Sequence, residues 1–182
     1  MALAATVYKL DLSIADMRRN HYGDYALTLA RHPSETESRL MVRALAFALH
    51  ASEQLSFSRG LSSSDEPALW EQSLSGEQRL WVMLGQPDLK WLKKACGQAR
   101  QVSLICYGGR QARSWWDENR EALARFNNLL ITNFDSDAVQ RLPHLLTRSM
   151  RLQCTVQEDQ LWLSSAEDSV ALSFEHWQQP DA

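Results

Sequence analysis

Three short apolar runs separated by helical patterns constrain this chain more than anything else in it. Leu80-Trp81-Val82-Met83-Leu84 is apolar at every position, the pattern of a strand covered on both faces, residues 102–107 form another apolar strand, and residues 129–134 a third strand. Gly85-Gln86-Pro87-Asp88 ends the first run and opens a helix, with Pro87 suited to its first turn and Leu89, Leu92, Ala95, Cys96 and Ala99 on one face. Gly108-Gly109 breaks the second run, and a helix over residues 113–126 leads to the third. This strand–helix–strand–helix–strand series predicts parallel pairing through right-handed crossovers. A chain of 182 residues, 45% of them hydrophobic, is long enough to bury such a sheet in one domain and too apolar to stay disordered.

The two ends have a different texture. Tyr8, Leu10, Leu12 and Ile14 alternate with Lys9, Asp11 and Ser13, as in a half-buried strand, and Tyr25, Leu27 and Leu29 share a face in a second one. His32-Pro33-Ser34-Glu35-Thr36-Glu37 is the clearest boundary in the sequence. Ser34 and Glu37 have capping-box spacing, and Leu40, Met41, Ala44, Leu45, Ala48 and Leu49 follow at helical spacing to about Glu53. Short strands are expected at residues 55–58 and 69–72, the second before a turn at residues 73–76. Alternation returns at Met150, Leu152, Cys154 and Val156, then at residues 161–163 and 170–174, predicting antiparallel strands with the N-terminal strand as their partner. The expected fold class is α/β with a mixed sheet: one domain over 1–182, an α-β-β-β-α-β core at about 27–134, and flanking strands from 1–26 and 148–176.

The formal net charge of −3 excludes a polybasic protein that coats nucleic acid through bulk charge, but it averages two opposite regions. Residues 87–113 carry Lys90, Lys93, Lys94, Arg100, Arg110 and Arg113 against Asp88 alone, a net of +5. Residues 152–182 carry six acids and no Lys or Arg. Cys96, Cys106 and Cys154 lie far apart with no paired spacing, which argues against a zinc site and fits small core residues in a reducing compartment. No apolar run is long enough to cross a membrane as a helix, and no basic-then-apolar leader opens the sequence, so the expected location is the cytoplasm, with no membrane partner.

Carboxylates gather around the middle of the chain: Glu35 and Glu37 at the first helix, Asp65 and Glu66 in the loop before the hairpin, and Asp88 at the second helix. Mg²⁺ takes hard oxygen ligands, usually a few carboxylates plus waters. One nuclease design draws an acid from a helix and two from neighbouring strands, with a lysine beside the nucleophile. The same residues also read structurally, with Glu37 in a cap, Glu35 favoured by the helix dipole and Asp65-Glu66-Pro67 as a turn. Gly108-Gly109-Arg110 reads either as a backbone cradle for phosphate or as a plain strand-to-helix turn. Trp91, Trp115 and Trp116 read as base-stacking groups or as packing. His32, beside Pro33, reads as structural.

Several blocks are long and idiosyncratic: LTLARHPSETESRLMVR (27–43), FSRGLSSSDEPALW (57–70), LWVMLGQPD (80–88) and KKAC (93–96), with ALAATVYKLDL near the start and WLS and HWQQP near the end. Through these the whole chain resembles the YaeQ family of bacterial proteins. The resemblance implies a fold similar to the PD-(D/E)XK nuclease superfamily, with the α-β-β-β-α-β order read above. Carried over residue by residue, it implies Glu35 as the helix acid, with Glu37 behind it, and Asp65 as a strand acid. The third acid of YaeQ-like sequences stands two positions before the glycine of G-x-P-D; here that residue is Met83, a soft thioether. The motif lysine falls at Gly85, leaving Gln86, or a displaced Lys93 or Lys94, for its role, and Glu66 or Glu37 as a replacement ligand. The expected metal set is therefore Glu35, Asp65 and Glu66 around Mg²⁺, with Gln86 and Lys94 beside it and Lys90, Lys93, Arg110 and Arg113 on nucleic acid. Two functions follow: a Mg²⁺-dependent nuclease or phosphodiesterase with an atypical site, and a non-catalytic descendant of the fold that binds nucleic acid or a protein.

Overall fold

The structure is a computed structural model that describes residues 4–59 and 66–181. Asp65 lies outside the described residues. The chain divides into two compact units, Met1–His50 with Asp137–Phe174, and Ala51–Ser136 with Glu175–Ala182.

The first unit holds β1 (Thr6–Asp16), β2 (His21–Arg31), α1 (Glu37–His50), α4 (Ser136–Arg141, from Asp137 onward), a 3-10 turn at Leu142–Leu145, β8 (Ser149–Gln157), β9 (Gln160–Ser164) and the Ser169–Phe174 part of β10 (Ser169–Gln178). Its strand order is β2-β1-β8-β9-β10. The strict alternation seen in the sequence puts Tyr8, Leu10, Leu12 and Ile14 of β1 and Met150, Leu152, Cys154 and Val156 of β8 into the core. Contrary to expectation, the N-terminal strand runs parallel to its C-terminal partner, with Lys9 opposite Ser149 and Asp16 opposite Val156. Alternation fixes which face a residue occupies and is silent on direction. Residues 136–145, to which the sequence reading assigned no element, form α4 and the 3-10 turn.

α1 also departs from the expected one-sided helix. Every residue from Leu40 to Leu49 is buried, including Val42, Arg43, Ala46 and Phe47, which is the pattern of a helix set inside a core. It packs on β8 and on the Leu142–Leu145 turn, and the ring of Tyr25 meets Phe47 edge-on at 5.1 Å. Its N-cap is Thr36, whose Oγ1 accepts from the Arg39 N–H at 3.1 Å. The expected Ser34–Glu37 box does not form, because Ser34 bonds back to the His32 ring. The helix ends at His50, three residues before the expected Glu53.

The second unit holds β3 (Leu55–Phe57), β4 (Leu69–Gln72), β5 (Gln78–Leu84), α2 (Leu89–Gln98), β6 (Gln101–Cys106), α3 (Arg110–Leu123), β7 (Leu129–Phe134) and the tail of β10. The expected order α1–β3–β4–β5–α2–β6 is present, and the fold is mixed α/β. The sheet order is β7-β6-β5-β4-β3. β3, β4 and β5 pair antiparallel, with a bulge at Glu71/Gln72, while β5, β6 and β7 pair parallel as predicted. Trp81 and Met83 of β5 and Val102, Leu104 and Cys106 of β6 form a core with Leu92 and Ala95 of α2 and Ala112 and Leu123 of α3. Pro87 stands before the N-cap Asp88, not in the first turn, and α3 begins three residues earlier than expected. No helix among the described residues is long and apolar enough to cross a membrane.

Candidate functional site

Glu35 is the acid on which the metal reading turns, and its carboxylate is already engaged. It is 2% exposed. Its Oε2 accepts from Arg43 Nε at 2.9 Å and from Arg39 Nη1, and its Oε1 accepts from Arg43 Nη2 at 2.7 Å. Arg43 is itself 3% exposed and also donates to the Ala30 carbonyl. Arg31 Nε closes the ring on the Glu35 backbone oxygen at 2.9 Å. Arg39 and Arg43 are four apart and so lie one above the other on α1, while Glu35, just before the Thr36 cap, turns its carboxylate toward both. Three of about four carboxylate lone-pair sites are thus filled by guanidinium N–H groups, and two positive charges stand where a cation would bind. Glu35 in this state does not fit Mg²⁺.

The remaining expected residues lie in the second unit. Glu66 pairs with Arg59, with Nε to Oε1 at 3.3 Å and the Arg59 backbone N–H to Oε2 at 3.1 Å. Met83, at the third-acid position, is 5% exposed in an apolar cluster with Trp81, Leu92, Ala95 and Leu104. Gly85, where the motif lysine falls, has φ +91°, which strains any residue with a Cβ, and its N–H donates to the Ile105 carbonyl. Gln86 lies across Gly108, so close that a Cβ there would come 2.5 Å from its Nε2. Lys94 is exposed, its ammonium 6.0 Å from the centre of the Trp91 ring. Among the described residues no three His, Cys, Asp or Glu side chains gather as a metal site would require.

The basic residues sit on two helices of the second unit. β5 and β6 are adjacent parallel strands, each followed by a helix on the same core, so the first turns of α2 and α3 stand over one edge of the sheet. Lys90, Lys93 and Lys94 project from α2, and Arg110 and Arg113 from α3, all exposed. α3 starts at Gly109 (φ +63°) with no side-chain cap, so its first N–H groups add positive potential. Arg113 is partly engaged, 3.3 Å from Glu175 and over the Trp177 ring. The tryptophans pack: Trp116 stacks on Trp177 at 5.6 Å, and Trp115 Nε1 donates to the Pro87 carbonyl. Burial pushes the Cys106 and Cys154 thiols up to about 12 and Cys96 to about 11, so none offers a thiolate nucleophile at neutral pH.

Sequence reasoning missed Arg31, Arg39 and Arg43. Arg43 lies on the opposite face of the helix from the Leu40, Met41, Ala44, Leu45, Ala48 and Leu49 stripe, where a charge reads as solvated, so nothing in the spacing signalled its burial.

The fold and this constellation define a mixed α/β protein of two units, each discontinuous in sequence, with an arginine-bound acid just before a core helix and basic residues on two further helices. The YaeQ protein family model matches residues 1–174, and the chain belongs to the YaeQ family. It is 44% identical to the YaeQ protein of Salmonella typhi and 42% identical to that of Escherichia coli (strain K12), in each case over 99% of both chains. The crystal structure of YaeQ protein from Xanthomonas axonopodis pv. citri is similar to it at TM-score 0.95 and 43% identity, over 97% of this chain and 99% of that one.

Proposed function

We propose that this protein is a non-catalytic, nucleic-acid-binding descendant of a nuclease-like fold, and that Glu35 serves structure in it rather than metal chemistry. One observation carries the reading: the acid that a PD-(D/E)XK site would commit to Mg²⁺ is buried between Arg39 and Arg43. The binding surface is the edge formed by α2 and α3, where Lys90, Lys93, Lys94, Arg110 and Arg113 reach phosphates as exposed cations without reading bases. Labelled single- and double-stranded oligonucleotides, followed by fluorescence anisotropy, test it. Binding is expected to persist in EDTA and to fall as salt rises. The Lys93→Gln/Lys94→Gln protein should bind several-fold more weakly, with a salt slope shallower by about 2. No binding at low salt, or binding indifferent to both lysines, overturns the proposal.

A second reading, Mg²⁺-dependent phosphodiester cleavage with Glu35, Asp65, Glu66, Gln86 and Lys94, is favoured by the α1–β3–β4–β5–α2–β6 order. It requires cleavage of plasmid or single-stranded DNA in Mg²⁺ that EDTA stops and Asp65→Ala abolishes. Met83→Glu, which puts back the acid of the YaeQ-like pattern, should then raise activity. Equal, background-level products from wild type and Asp65→Ala would sink this second reading.

A further inference from the structure

The cluster around Glu35 holds more positive charge than that acid balances. Glu35 and Arg43 are both buried and joined by two hydrogen bonds, so they neutralise one another. Arg31 and Arg39 are left over. Each is anchored to residue 35 through a single N–H, Arg31 through Nε to the backbone oxygen and Arg39 through Nη1 to the carboxylate. Each keeps four of its five N–H donors, and among the described residues those donors have no other polar partner. They also open to solvent, because the one buried side-chain polar atom without a partner among the described residues is Asn133 Oδ1. Two guanidiniums are thereby held within one hydrogen bond of a single residue, and their unpartnered nitrogens are not buried. Glu37, the nearest other acid in the chain, is two positions from Arg39 and so about 200° around the helix from it.

We propose that the first unit carries a binding site for a phosphate monoester dianion, made by Arg31 and Arg39 and held in shape by Glu35. The charge match selects the class of ligand. Two unbalanced guanidiniums suit a group of charge about −2, which a terminal phosphate carries near neutral pH and a diester does not. Paired guanidiniums also offer the planar double donation that phosphate oxygens accept best. Glu35 acts here as a positioning residue. It fixes both side chains before the ligand arrives, so little rotamer entropy remains to be lost on binding. The residues involved are separate from the α2–α3 edge, and the site stands or falls independently of nucleic-acid binding there.

Calorimetric titration with inorganic phosphate at low ionic strength is the test. Saturable binding is expected, at least tenfold weaker in Arg31→Gln and in Arg39→Gln, and weakening below about pH 6 as the dianion protonates. Arg31→Gln removes only a bond to a backbone oxygen and leaves the Glu35–Arg43 pair whole, so its melting temperature should stay at the wild-type value and rule out unfolding as the cause. A 5′-phosphorylated dinucleotide, run beside its unphosphorylated form, identifies the source. Tighter binding than free phosphate points to a nucleic-acid end, and equal binding points to a small phosphorylated molecule. Titrations that never saturate, or that are identical in wild type and both arginine variants, overturn the site.

Discussion

Glu35 shows how an acid that looks catalytic from its neighbours in sequence can be committed to architecture. Removing one partner of a buried ion pair costs about 3–5 kcal/mol, because the other charge stays behind without compensation. Arg43→Ala is expected to destabilise by that much in urea unfolding. Arg39→Ala, whose side chain is 19% exposed and whose loss leaves the Arg43 bonds in place, should cost roughly 1 kcal/mol. Asp16 is the comparable group at the end of β1. Burial alone pushes its carboxyl up, but hydrogen bonds from Arg18 and Arg19, and their charge, outweigh that and hold it below its ordinary 3.8. A carboxyl whose folded pKa is depressed contributes stability above its unfolded pKa, and that contribution is lost as pH falls through the folded value. The gap in urea midpoint between wild type and Asp16→Asn should therefore be wide at pH 7 and narrow steadily below about pH 4. The prominence of Glu35 was legible from the HPSE block. Its role was not, because that is decided by Arg39 and Arg43 one and two turns later, which read as ordinary helix residues until their burial is known.

At the level of elements, strands and helices were legible wherever periodicity was strong, and their ends and directions were not. Residues 129–134 and 69–72 matched their strands to the residue. The cap of α1 falls two positions after the expected Ser34, because the His32 ring draws Ser34 into a local turn and leaves Thr36 to the helix. Thr36→Ala should accordingly cost about 1 kcal/mol, and Ser34→Ala only a few tenths, in equilibrium denaturation. The α4 segment escaped notice because it has barely a turn and a half of pattern to offer. The parallel sense of β1 and β8 escaped for a different reason, since a period of two is the same read in either direction.

For the molecule as a whole, the sequence suggested a core with strands added from both ends, whereas compactness draws the line elsewhere. α1 sits with the terminal strands, and the second unit takes back the last residues of the chain from Glu175 onward. Each unit is therefore discontinuous in sequence. A fragment ending at Ser136 keeps β1, β2 and α1 but loses β8 and β9, so it should show no cooperative melting by circular dichroism, while the full chain does. The parallel pairing of β1 with β8 also sets a clock. On a ribosome adding about 5–20 residues per second, β1 emerges roughly seven to thirty seconds before the strand that must lie beside it. Through that interval the apolar stripe Tyr8, Leu10, Leu12 and Ile14 has only the β2 hairpin for shelter, a nascent surface suited to holdase chaperones and sensitive to any slowing of translation in between.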